Sequence, residues 1–172
     1  MLKPVKSKSF RILGSRFAIV ASKYNSRYVD AMLRAAKGEL KRAGAKDIEV
    51  IRVPGAYEIP VVAARLARAA ALPPDASRVT HHLPPAAIIC LGVILRGETS
   101  HAAHIGEAVS LALMQIQLQW GVPVIHEVLL LENEQQARMR CLGKTHNRGT
   151  EAAQSALAMA KVMAKPPVVA EE

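Results

Sequence analysis

Aromatic residues are scarce in this chain. One Trp, three Tyr and two Phe make up 3% of 172 residues, although 51% are hydrophobic. The core must therefore be assembled from Ala, Val, Leu and Ile, and a base-stacking surface for single-stranded nucleic acid lacks its rings. Cysteine is nearly absent too. Cys90 and Cys141 show no CxxC or His-paired metal spacing, which sets aside a disulfide scaffold or a zinc cluster and fits a reduced, cytoplasmic setting. No apolar run approaches membrane-spanning length, and no N-terminal stretch has the look of a signal peptide. Acids are missing from residues 1–29, where Lys3, Lys6, Lys8, Arg11, Arg16, Lys23 and Arg27 stand. The formal charge of +9 raises polyanion binding as a question. The excess sits in this terminal stretch, with no RRM or zinc-finger signature, so a solvated basic arm is expected rather than a nucleic-acid interface.

The length fits one domain with one substantial core, with residues 1–9 as a flexible or edge arm. An apolar strand is expected over 17–21. Asn25 or Ser26 can cap a helix with Val29, Met32, Leu33, Ala36 and Leu40 on its apolar face, and Gly44 suits its end. A second strand follows over 47–53. Pro54-Gly55 marks a turn, and Pro60 suits the first turn of a helix to about 70. Residues 71–85, with four prolines and the His81-His82 pair, read as an exposed inserted loop without chemistry. The third strand, over 86–95, is apolar almost throughout, as a strand covered on both faces should be. A helix over about 102–120 ends at Gly121, a fourth strand covers 123–131, and a shorter helix starts at Glu132-Asn133-Glu134. After the basic turn 143–149 comes a last helix over about 150–164, then a loose tail over 165–172.

Strands alternating with helices four times predict an α/β fold, a four-stranded parallel sheet with helices on both faces. Right-handed crossovers then gather the loops after Ala21, Val53, Leu95 and Leu131 along one sheet edge, where ligands bind in such folds. Two of these loops carry candidate chemistry. In Arg96-Gly97-Glu98-Thr99-Ser100-His101, Gly97 permits a close backbone approach, Thr99 and Ser100 can cap a helix whose free N–H groups suit an anion, and His101 stands beside that site. The same residues also fit an ordinary βα junction with a surface histidine. In Val53-Pro54-Gly55-Ala56-Tyr57-Glu58-Ile59-Pro60, Glu58 can accept hydrogen bonds from ligand hydroxyls or simply face the helix dipole.

Taken together, the motifs FAIVASKYN (17–25), VPGAYEIP (53–60), LGVILRGETSH (91–101) and GVPV (121–124), with EQQA, Arg140, Gly143-Lys144 and Asn147-Arg148-Gly149, resemble the 6,7-dimethyl-8-ribityllumazine synthase family over roughly 10–164. The resemblance implies a flavodoxin-like α/β/α sandwich. It also implies the penultimate step of riboflavin biosynthesis, in which 5-amino-6-(D-ribitylamino)uracil condenses with 3,4-dihydroxy-2-butanone 4-phosphate. No metal or organic cofactor is implied, and the site lies between subunits of a pentamer that closes into icosahedral shells in some members. Carried over by position, Tyr24 would stack on the pyrimidine, with Asn25 beside it. Ala56, Tyr57 and Glu58 would hold the ribityl chain, and Val93, Ile94 and Leu95 the pyrimidine edge. Gly97, Glu98 and Thr99 would receive the phosphate, together with Arg140 of a neighbouring subunit, and His101 would carry protons. Lys144, Arg148 and Glu151 fall at further charged positions near the site.

Three departures stand out. The aromatic and acidic residues usual after the histidine are Ala102 and Ala103 here, followed by His104, which could partly substitute. His126 occupies a position often aromatic, where a neighbouring subunit covers the pyrimidine. The loop 71–85 is longer than usual. The first two motivate an alternative, a non-catalytic lumazine- or flavin-binding or shell-forming relative.

Overall fold

Six consecutive residues of the first strand, Phe17 to Ser22, have no solvent exposure, so both faces of this strand must be covered. A computed structural model describes residues 15–71, 84–143 and 146–164. The expected terminal arm and tail, His81-His82 and nearly all of the inserted loop lie outside them. Strand β1 (Arg16–Ser22) is followed by α1 (Ser26–Arg42), β2 (Asp47–Val53), α2 (Ile59–Ala71), β3 (Ala87–Leu95), α3 (His101–Trp120), β4 (Val124–Leu131), α4 (Glu134–Cys141) and α5 (Arg148–Met163). The sheet is wholly parallel, in the order β2-β1-β3-β4. This is the α/β three-layer fold that the strand–helix alternation predicts.

Alternate strand residues feed separate cores because side chains in a strand alternate faces. Phe17, Ile19, Ile89 and Leu91 pack beneath α1 and α5. Ala18, Val20, Ile88 and Cys90 pack beneath α2 and α3. Small residues let the helices approach. On α5, Ala152, Ala153, Ala156 and Ala160 are buried against α1.

Local chemistry differs from expectation at three helix starts. Asn25 is the N-cap of α1, but its side chain makes no cap bond and its backbone is left-handed at φ 55°. Ser100 precedes α3 with helical dihedrals and likewise no side-chain cap. The last helix begins at Arg148, two residues before the expected start, because Asn147 accepts the Gly149 N–H at 2.9 Å and caps it. The fourth strand and the shorter helix start at Val124 and Glu134, each slightly later than expected.

Candidate functional site

The C-terminal ends of β1, β2 and β3 are stitched into one frame. The Lys23 N–H donates to the Val53 carbonyl at 2.7 Å and the Tyr24 N–H to the Pro54 carbonyl at 3.0 Å. Asn25 joins the third strand: its Nδ2 donates to the Val93 carbonyl at 2.8 Å. The left-handed backbone that Asn tolerates better than most residues aims the amide across the sheet instead of onto its own helix. That carbonyl is therefore already occupied, and Asn25 braces the frame.

Above this frame lies an open cavity of about 890 Å³, within the range of small-molecule sites. Tyr24 and Tyr57 flank it as exposed rings, at 73% and 64%, so neither is committed to the core. Ala56 and Glu58 line it, with Val93, Ile94 and Leu95 along the floor. Glu58 Oε2 accepts the Gly55 N–H at 2.8 Å, which closes the turn and leaves the other oxygen for a ligand hydroxyl. Gly97, Thr99, His101 and His104 complete the far wall. No side chain hydrogen-bonds the His101 ring among the described residues. Ala102 is buried against the core, and Ala103 lies in the next recess.

Among the described residues, no Lys or Arg lines the cavity. Glu98 falls outside it, in an adjoining recess of about 340 Å³ with Arg96, Gly97, Thr99 and Ser100. Arg96 has a partner there: its Nε lies 3.3 Å from Glu132. Backbone N–H groups at the start of α3 can receive an anion, while among the described residues no Lys or Arg lines the cavity itself.

Several expected site residues lie elsewhere. Arg140, His126, Arg148 and Glu151 do not line the cavity of their own chain, and Lys144 is outside the described residues. The loop after Leu131 likewise stays out of the cavity. Just past β3, the Arg96 N–H donates to the Leu131 carbonyl at 2.8 Å and the Arg96 Nε meets Glu132. Arg148 is instead held by two acids, Glu127 through Nε and a terminal nitrogen at 2.9 and 2.8 Å and Glu151 at 2.6 Å. Glu127 is the polar residue that the sequence reading missed. Burial pushes its carboxyl up to about 7, while the Arg148 guanidinium pulls the other way. Cys141 nearby rises to about 11, mainly through burial and then through the charge of Glu127. Cys90, wholly buried, is raised by burial and is inert.

His126 is fixed by its bonds. Its Nδ1 accepts the Val128 N–H at 3.3 Å, so the proton of the neutral ring sits on Nε2, 2.8 Å from Ser110 Oγ. Ser110 in turn donates to the Gly106 carbonyl at 2.7 Å. Partial loss of hydration lowers the ring's pKa from 6.5, and protonating Nδ1 would break the Val128 bond. The lowered value means that this contribution to stability is present above pH 6.5 and is lost as pH falls through the folded-state value. A proton NMR titration should place the His126 midpoint below 6.5, and His126→Asn should remove part of the acid-side loss of thermal stability. A midpoint above 6.5 would contradict the bonding scheme.

A family model described as 6,7-dimethyl-8-ribityllumazine synthase matches residues 14–164. Curated proteins of that name are similar over nearly their whole length. One from Xylella fastidiosa (strain M12) is 40% identical over 159 residues, covering 91% of this chain and 95% of that protein. One from Stenotrophomonas maltophilia (strain R551-3) is 40% identical over 155 residues, 89% and 92%. One from Xanthomonas oryzae pv. oryzae (strain PXO99A) is 40% identical over 151 residues, 87% and 90%.

Proposed function

We propose that this chain, which belongs to the 6,7-dimethyl-8-ribityllumazine synthase family, catalyses the condensation its motifs imply. In that reaction 5-amino-6-(D-ribitylamino)uracil and 3,4-dihydroxy-2-butanone 4-phosphate give 6,7-dimethyl-8-ribityllumazine, phosphate and water. The observation that carries the reading is the convergence of Tyr24, the Ala56–Glu58 loop and the Gly97–His101 turn on one cavity.

The pyrimidine would lie on Tyr24 above the floor of Val93, Ile94 and Leu95, its ribityl hydroxyls meeting the free oxygen of Glu58. The phosphate would sit at the start of α3, on the amides of Gly97, Glu98 and Thr99. The substrate amine attacks the ketone carbon, and loss of water leaves an imine. His101 accepts and returns the protons of that step. Loss of a further proton beside the imine expels the phosphate, and the ribitylamino nitrogen then attacks the remaining carbonyl, a second water leaving as the ring closes. The substrates bring their own nucleophile and electrophile, so proximity supplies much of the rate. His101→Ala should therefore lower kcat about 100-fold without abolishing turnover. Progress curves of the fluorescent lumazine measure this, and an unchanged kcat would remove His101 from the proton-transfer role.

The site reads as shared between subunits. A cavity without a described Lys or Arg and an Arg140 lying outside it are complementary if chains meet around a ring. Leu111, Met114 and Leu118 form an exposed stripe along α3, at 62%, 53% and 75%, which suits burial against a second copy. We assign a homopentamer or a multiple of it, working in the cytoplasm; no described helix is long and apolar enough to cross a membrane. Native mass measurement should give a multiple of five chains, and a stable 18.5 kDa species would sink the assignment. The enzymatic reading itself fails if a correctly assembled sample forms lumazine no faster than the uncatalysed mixture.

A further inference from the structure

A polar network off the cavity joins three elements. Glu127 projects from β4 between Ile125 and Leu129, both packed into the core beneath α1 and α5. A carboxylate at such a position is costly unless it is paired. Its two oxygens are taken by the fork of Arg148, the first residue of α5, whose remaining nitrogen meets Glu151. The neighbouring Asn147 links the two helices: it caps α5 through the Gly149 N–H and donates Nδ2 to the carbonyl of Cys141, the last residue of α4. Cys141 is itself fully buried. The residue before it is Arg140, exposed, with no ion pair among the described residues yet near enough to act on the Glu127 carboxyl.

Hydrogen bonds thus run from the sheet to the backbone beside Arg140. Glu127 to Arg148 fixes the start of α5, and Asn147 ties that start to the end of α4. The same bonds account for the charges. Two carboxylates occupy Arg148, which leaves Arg140 as the uncommitted guanidinium of this corner.

We infer that Glu127 is a positioning residue for phosphate binding: by clamping Arg148 it holds the α4–α5 junction so that Arg140 points outward, unpaired, toward a phosphate-bearing ligand. Arg148 belongs to this clamp through Glu127 and Glu151. The inference rests on the proposed synthase reading for the identity of that ligand, but not for the anion chemistry.

The test compares the assembled unmodified protein with Glu127→Gln, Arg148→Met, Arg148→Lys and, as a control on the exposed face of α4, Arg138→Ala. Two quantities are read: the dissociation constant for inorganic phosphate by calorimetry, and the KM for each substrate. Residues that orient a ligating side chain are worth about tenfold in affinity. Glu127→Gln and Arg148→Met should weaken phosphate binding and raise the KM of the phosphate-bearing substrate by that factor, leaving the pyrimidine KM within about twofold. Arg148→Lys, which keeps a charge opposite Glu127, should recover part of the loss, and Arg138→Ala should change nothing. Unchanged phosphate affinity in variants of native mass and circular dichroism overturns the inference, and so does an equal rise in both KM values. If Glu127→Gln fails to fold, the contrast between Arg148→Lys and Arg148→Met decides. If the unmodified protein makes no lumazine, the synthase reading falls while the phosphate titration still judges the clamp.

Discussion

Replacing Arg140 by Ala is expected to lower kcat/KM about 1,000-fold, the scale set by removing one preorganised partner of a developing anion. The cavity explains the size of the effect. Among the described residues its lining has no Lys or Arg, Arg96 is engaged with Glu132, and Arg148 is engaged with Glu127 and Glu151. Amides at the start of α3 would be left to bind a departing phosphate alone. The loss should fall on the phosphate-bearing substrate, since nothing places Arg140 near the pyrimidine half. If the guanidinium comes from an adjacent subunit, two defective chains can repair each other. Arg140→Ala subunits retain His101, and His101→Ala subunits retain Arg140. Random mixing around a closed ring leaves about a quarter of the junctions with both groups. Co-refolded mixtures should therefore regain activity far above either parent. No recovery in particles shown by mass to be mixed would mean that Arg140 is not supplied from an adjacent subunit.

Much of the architecture was legible because it rests on patterns the sequence displays directly. The uninterrupted apolar run of β3 announces a strand buried on both faces, and the period of Val29, Met32, Ala36 and Leu40 announces the buried stripe of α1. The order of loops on the sheet edge followed from the handedness of crossovers, and it brought Tyr24, Glu58 and His101 to one cavity. Features set by contacts between distant residues were not legible. Asn25 reads as a helix cap from its neighbours alone, and its bond to Val93 depends on a strand 68 residues away. Arg148 reads as a site cation in a basic turn until Glu127 is seen beneath it. The available signal was an acid at a core-facing position of a strand. Recognising its partner required knowing that α5 begins at Arg148. His126 was legible as a departure, but not its tautomer, set by the Val128 N–H, nor the partner of its Nε2, Ser110, one helix away. Arg140 lies outside the cavity of its own chain, a placement no local pattern announces.

Gly149→Ala should destabilise the fold more than any surface change, by about 3 kcal/mol, because the site of its missing side chain is already occupied by backbone. A Cβ there would lie 2.0 Å from the Met32 carbonyl oxygen and 2.6 Å from its Cα. Neither can rotate away, so α5 would have to lift from α1 and open the seam of small residues at Ala36, Ala152, Ala153 and Ala156. The displacement would also act on function, since Asn147 and Arg148 hold this end of α5 to α4 and β4. Gly38, in the middle of α1, provides the opposite case. Nothing lies within 4 Å of a Cβ built on it, so Gly38→Ala should stabilise by about 0.5–1 kcal/mol through helix propensity alone. Urea midpoints measured at one protein concentration, since assembly contributes to stability, should therefore move in opposite directions for the same one-carbon change on two packed helices. Equal midpoints for the two variants would mean that α5 does not seat on Met32 as described.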